Sequence, residues 1–209
     1  MTGSERLELV AVVLLATGTI ATAWAAYQAR QWTGEQAHGY SVGTASRIAE
    51  NRAAALANRQ VQIDVATFIQ WIDARRRGDA ELARFYRARF RDEFEPAFAA
   101  WLATRPLEDP GAPETPFAMP QYRLAATSEA EGLESTAAAA SERAKEANER
   151  AGTYMLAVVL LASALFFAGI STRLDGTVAR RTMLGLGCVI LIATAGWMVT
   201  LPVELTRIG

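Results

Sequence analysis

The sequence predicts an all-α membrane protein with three transmembrane helices and a long-helix antiparallel bundle or coiled-coil domain inserted between spans 1 and 2. Three observations carry that reading. First, residues 9–27, 153–171 and 182–203 hold no Asp, Glu, Lys or Arg, and about 20 apolar residues suffice for a helix to cross a bilayer. Second, residues 28–152 are strongly polar, with 16 Lys+Arg against 18 Asp+Glu. Third, Ala126, Ala130, Leu133, Ala137, Ala140, Ala144, Ala147, Ala151 and Tyr154 recur at alternating fours and threes. That spacing keeps one narrow stripe turned towards one partner.

Taken in order, residues 1–8 form a short tail and residues 9–27 the first span. Ala23-Trp24-Ala25 matches the A-x-A pattern of a cleaved leader. The apolar run exceeds the usual 7–15 residues and its flank is barely basic, which favours a retained anchor. Gly18, Thr22 and Ala26 fall four apart, a small-residue stripe suited to close helix contact in lipid. Trp24 and Tyr27 end this window, Tyr154 opens the second and Trp197 lies late in the third. Such rings favour the membrane–water interface, so windows of alternating direction place all four near one side of the bilayer. Trp32 falls just beyond.

The polar domain, residues 28–152, opens with a helix over about 30–77. Gly34, Gly39 and Gly43 interrupt it early and mark either a kink or a close approach of another helix. Ala45, Ala49, Leu56, Ile63 and Ala66 predict its apolar face, broadened by Val61, Val65, Phe68 and Ile72. Gly78 breaks the pattern and Asp79 can cap the next helix. That helix, about 79–104, carries Leu82, Phe85, Tyr86, Phe90, Phe94, Phe98, Trp101 and Leu102 as a heavy aromatic core face. Pro96 is expected to kink it or end it near Glu95. Five prolines make residues 105–120 a loop, pinned through Phe117 and Met119, with Leu107 its other large apolar residue.

Pro120 suits the first turn of the next helix, which runs over 121–152 and on without a break through the second span, 153–171. The link 172–181 is short and holds Arg173, Arg180 and Arg181, and the third span follows at 182–203. Gly185, Gly187 and Gly196 are its close-packing positions, Pro202 and Glu204 end it, and residues 204–209 are a tail. The positive-inside rule puts the short arginine-bearing link in the cytoplasm. The amino terminus is then cytoplasmic as well, and the helical domain extracytoplasmic.

Chemistry-bearing motifs are scarce. No HExxH, GxSxG, Walker loop or EF-hand loop occurs in the sequence. The single cysteine, Cys188, excludes a disulfide within the chain and reads as a packing group. The single histidine, His38, could titrate between pH 5 and 8, although an exposed interfacial residue is the plainer reading. The acidic pairs at Asp92, Glu93 and Glu95 sit beside Arg87, Arg89 and Arg91, which points to ion pairs rather than metal ligands. No catalytic, cofactor-binding or metal-ligating residue is predicted, and the near-neutral balance excludes a strong field for nucleic acid. Transport normally leaves ionisable groups inside spans, and these windows have none.

One charge cluster stands out. Arg75, Arg76, Arg77, Arg84, Arg87 and Arg91 are a candidate surface for an anionic partner, with Arg84, Arg87 and Arg91 expected on one helix face. The competing reading is neutralisation by the acidic stretch 92–152. Three segments resemble those of uncharacterised bacterial three-span integral membrane proteins: Pro116-Phe117-Ala118-Met119-Pro120-Gln121-Tyr122-Arg123-Leu124, Lys145-Glu146-Ala147-Asn148 and Leu165-Phe166-Phe167-Ala168-Gly169-Ile170. The resemblance implies a bacterial inner membrane and no known activity, so no functional residue carries over.

The functional expectation is a membrane-anchored helical scaffold or interaction protein, not an enzyme. Its partners would be the bilayer and either further copies of itself or another membrane protein. Ala137, Ala140, Ala144 and Ala147, with Gly18, Thr22 and Ala26, are the helix-packing residues. Two alternatives stay open. One is a sensory module, similar to the input half of bacterial chemoreceptors but lacking their output domain. The other is a small channel or transport subunit.

Overall fold

A computed structural model describes residues 3–106 and 108–204. Leu107 and the tail beyond Glu204 lie outside the described residues, as do Met1 and Thr2. The described residues form five α-helices and one short 3₁₀ turn, with no strand among them: α1 (Gly3–Arg76), α2 (Ala80–Arg87), α3 (Glu95–Ala103), the turn Pro116–Ala118, α4 (Ala125–Ser171) and α5 (Thr177–Val199). By length and composition α1, α4 and α5 are each long and apolar enough to cross a membrane.

The chain divides into two compact units, one of Met1–Val42 with Ala140–Gly209 and the other Gly43–Ala139. In the first, Ala140, Ala144, Ala147, Ala151, Tyr154, Ala157, Leu161, Ala164, Ala168 and Ser171 of α4 are all buried. The spacing of threes and fours read from the alanines therefore runs on through the apolar window, with one repeated three at Tyr154–Ala157. From α1, Ala25, Ala29 and Trp32 pack into the same core as Ala147, Ala151 and Tyr154. Small side chains bring the backbones together: a Cβ on Gly39 would stand 2.9 Å from the Ala144 Cβ and 3.1 Å from the Ala140 carbonyl oxygen. Gly187 of α5 lies equally close to α4, its Cβ position 3.0 Å from the Ala164 carbonyl oxygen. Gly187 and Ala164 fall within apolar windows, where close packing of this kind can hold helices together without a hydrophobic force.

Several expectations for this unit are corrected. Gly18 is buried against Leu165 and Leu191, but Ala26 faces outward. The inward row instead continues through Ala25, Gln28 and Ala29, because a helix turning every 3.6 residues drifts away from a strict four-residue repeat. Gly185 and Gly196 meet nothing within 4 Å and are not packing positions. Helix α5 starts earlier than the third window, so Arg180 and Arg181 belong to its first turns and not to a loop. It ends at Val199, ahead of Pro202.

The second unit buries large rings. Phe68 and Trp71 of α1 meet Phe94, Phe98 and Trp101 in one cluster, with Phe117 and Met119 packed against it. The Trp101 indole N–H donates to the Pro113 carbonyl at 2.7 Å and the Phe117 ring stacks on Phe94, so two anchors hold the proline-rich loop. Gly78 adopts φ +75° after the end of α1, a conformation that costs glycine little. Asp79 then caps α2 by accepting from the Leu82 N–H at 2.9 Å.

Here too the structure departs from the sequence reading. The single helix expected over 79–104 is two, separated by a turn at 88–94, and Pro96 stands in the first turn of α3, where its missing N–H has no consequence. Helix α4 begins at Ala125, not near Pro120. Gly34 and Gly43 introduce no break in α1. On α1 the buried row of this unit is Gly43, Ser46, Ala53, Ala57, Asp64, Phe68, Trp71 and Ala74, while Ala45, Leu56, Ile63 and Ala66 of the expected face are exposed. From Gly43 to Ala57 that row is of small side chains, which suits close helix approach, and beyond it Asp64, Phe68 and Trp71 are the buried groups.

Candidate functional site

In the first unit, Trp32, Glu35 and His38 succeed one another on α1, while Arg143, Glu146 and Arg150 do so on α4. Steps of three and four residues keep each set on one helical side. Together they line a pocket of about 380 Å³, where Gly39 and Ala140 bring the two helices together. The Arg150 guanidinium lies 4.6 Å from the centroid of the Trp32 ring, a cation–π contact. Its pairing with Glu146 is loose, at 3.5 Å. The Trp32 indole N–H is buried without a hydrogen-bond partner. Such a group normally finds an acceptor.

The same unit has a second polar junction. Gln28 is fully buried; its Nε2 donates to the Glu204 carbonyl at 3.2 Å, and its Oε1 accepts from the Glu204 N–H at 3.0 Å. The Tyr154 hydroxyl donates to the Pro202 carbonyl at 3.0 Å. Sequence reasoning missed this clasp, because nothing local to Gln28 foretells a partner 176 residues away. Within the apolar windows, the hydroxyls of Thr17, Thr19 and Thr22 donate to the carbonyls of Val13, Leu15 and Gly18 on their own helix, so these donors are satisfied locally. An apolar groove of about 570 Å³ lies between α1 and α5, lined by Ile20, Trp24, Met198 and Val199 among others.

In the second unit the charged centre is Asp64, whose side chain is fully buried. Arg91 Nη1 pairs with Asp64 Oδ2 at 2.8 Å and the Tyr122 hydroxyl donates to the same oxygen at 3.0 Å. Arg91 also pairs with Glu93, whose other oxygen accepts from the N–H of Ala125, the first residue of α4. A carboxylate there complements the positive end of the helix dipole. Burial pushes the Asp64 carboxyl above its usual range, against the opposing pull of Tyr122 and Arg91. Burial and the hydrogen bond to Asp64 also raise the Tyr122 hydroxyl. Four groups thus tie α1, the 88–94 turn and the start of α4 together. Asp64 was not singled out from the sequence. The available signal was an acid between Ile63 and Val65, the only one between Glu50 and Asp73.

The arginine cluster is divided by the fold. Arg91 leaves the candidate anionic-partner surface for the interior ion pair, and it lies beyond α2 rather than on one helix face with Arg84 and Arg87. Arg87 is engaged by Glu95 at 2.7 Å and lies over the Phe98 ring, while Arg75 lies over Trp71. Arg76 and Arg84 are exposed, and exposed Arg77 stands 3.8 Å from Asp73. Of the interface aromatics, Trp24, Tyr27 and Trp197 are exposed. Tyr154 is buried and held by its hydroxyl, so it acts as a packing residue. Ala137, Ala140, Ala144 and Ala147 are all buried. Cys188 is free and half-buried. Among the described residues no group of three or more His, Cys, Asp or Glu could hold a metal ion. No protein-family model, curated protein or solved structure matches the chain.

Proposed function

We propose that this chain is a membrane-anchored helical interaction protein that assembles with further copies of itself. One observation carries the reading: Ile48, Leu56, Ile63 and Ile69 stand 42–51% exposed on the polar part of α1. With 3.6 residues per turn they fall on one side of the helix, and Arg52 and Arg59 lie among them. Exposed aliphatic side chains grouped on one side of a helix in water, interleaved there with arginine and glutamine, favour a partner. The occupant suited to it is a second copy, since the outer face of α4 presents the exposed pair Glu131 and Glu134, complementary in charge to Arg52 and Arg59. Contact of one face with a different face is heterologous, and it closes into a ring where the rotation allows.

In this reading the chain sits in a bacterial inner membrane, with its amino terminus cytoplasmic and its helical domain outside. Arg173, Arg180 and Arg181 beside the α4–α5 turn support that orientation. Native mass spectrometry of the detergent-solubilised chain tests the assembly. The wild type should fly as an oligomer and a Leu56→Glu/Ile63→Glu variant as a monomer. Exchanging Arg52 and Arg59 with Glu131 and Glu134 in one chain should restore what either half alone disrupts. A monomeric wild type would remove the proposal. A second reading, an extracytoplasmic sensory module that signals through another protein, is favoured by the charged pocket between α1 and α4.

A further inference from the structure

The pocket of Trp32, Glu35, His38, Arg143, Glu146 and Arg150 combines three features that a merely solvated helix face lacks. It is a defined cavity of about 380 Å³, within the range of small-molecule sites. It carries both signs of charge, two arginines and two glutamates. Among its lining residues is Trp32, whose indole N–H is buried without an acceptor and whose ring face carries an arginine with a loose ion pair. Its height matters as well. Arg150 precedes the apolar window of α4 by three residues and Trp32 follows that of α1 by five. At 1.5 Å per residue these groups stand roughly 5–8 Å beyond the apolar windows, which is the depth of the headgroup layer. Glu146 and Glu35 lie about one turn further out, and Arg143 and His38 about two turns.

We propose that this pocket binds a phosphate ester bearing a primary ammonium, the chemistry of a zwitterionic phospholipid headgroup. The phosphate is held by Arg150 at that depth, with Arg143 reaching towards it from further out, and guanidinium forks match its oxygens. The Trp32 indole N–H, which has no acceptor of its own, is a further donor within the site. The ammonium is directed to Glu35 and Glu146, each of which accepts its N–H groups. A quaternary ammonium lacks those N–H groups and loses these bonds, so the site discriminates between the two headgroups.

The test uses the full chain in detergent, titrated with short-chain phosphatidylethanolamine, phosphatidylcholine and phosphatidylglycerol, and separately with soluble phosphoethanolamine. Trp32 fluorescence, isolated by difference against Trp32→Phe, gives one readout and native mass spectrometry a second. Phosphatidylethanolamine should bind at least tenfold more tightly than phosphatidylcholine. Arg143→Gln/Arg150→Gln should weaken it by tenfold or more, and Glu35→Gln/Glu146→Gln should abolish the preference over phosphatidylcholine. Circular dichroism of each variant must retain the wild-type helicity, and Arg150→Lys should recover part of the affinity as a second check. Equal binding of soluble phosphoethanolamine would support the site and assign it a soluble source. Equal affinity for all three lipids, or unchanged affinity in a folded arginine variant, would overturn the proposal.

Discussion

The two units are built from stretches of the same two helices, α1 and α4, yet they are held by opposite packing chemistries. In the first, glycine and alanine let backbones approach until a single added methyl at Gly39 would collide with its neighbour. In the second, five buried rings from Phe68, Trp71, Phe94, Phe98 and Trp101 fill the centre. Rings bury much apolar surface and reward bulk, whereas small side chains give up bulk so that two backbones can fit closely.

That contrast predicts which change breaks each unit. Removing bulk should cost most in the second: Phe98→Ala is expected to destabilise by about 3–5 kcal/mol, read by denaturant unfolding in detergent. A loss below about 1 kcal/mol would mean that the rings are not its core. Breaking the buried ion pair with Arg91→Met should cost a similar 3–5 kcal/mol, because it strands the buried Asp64 carboxylate. The pair Asp64→Leu/Arg91→Met should regain much of that loss, and a double variant as weak as the single would argue against an isolated-charge penalty.

Adding bulk should matter in the first unit. Ala140→Leu/Ala144→Leu is expected to cost about 1–3 kcal/mol by overpacking, and unchanged stability would show the seam to be loose. Loss of the α2 cap in Asp79→Ala should cost about 1 kcal/mol. The subtlest effect is a slope with pH. The Asp64 carboxyl is raised in the fold, so the folded state holds its proton to higher pH than the unfolded chain does. Stability from this group is therefore complete below the unfolded value of 3.8 and is lost as pH rises through the folded one. Relative to Asp64→Asn, the wild type should gain stability on acidification across that window. An opposite slope would mean that Arg91 outweighs burial.

How much of this was legible in the sequence differs between α1 and α4. The α4 seam was readable because it is written in alanines at alternating threes and fours, and alanine marks both the face and the closeness. On α1 the same criterion failed. Hydrophobicity pointed to Leu56 and Ile63, whereas the seam takes Gly43, Ser46 and Asp64, whose burial depends on what α4 and the 88–94 turn supply. The aromatic run from Leu82 to Trp101 concealed a turn, since spacings near four continue across it. The charged pocket was hidden for a related reason: His38 was noticed, but its neighbours Arg143, Glu146 and Arg150 are about a hundred residues away. Non-local pairings of that kind leave no periodic trace.

The Gln28 clasp has a consequence for how the chain is made. Its two partners belong to Glu204, which leaves the ribosome long after Gln28 does. Until then a side-chain amide destined for complete burial must remain hydrated or be shielded by another protein. The fold therefore carries its own order of assembly, with α5 arriving last and relieving an amide that has waited since the first span. A chain stopped before Pro202 would keep all three apolar helices and still leave the Gln28 amide without its partner.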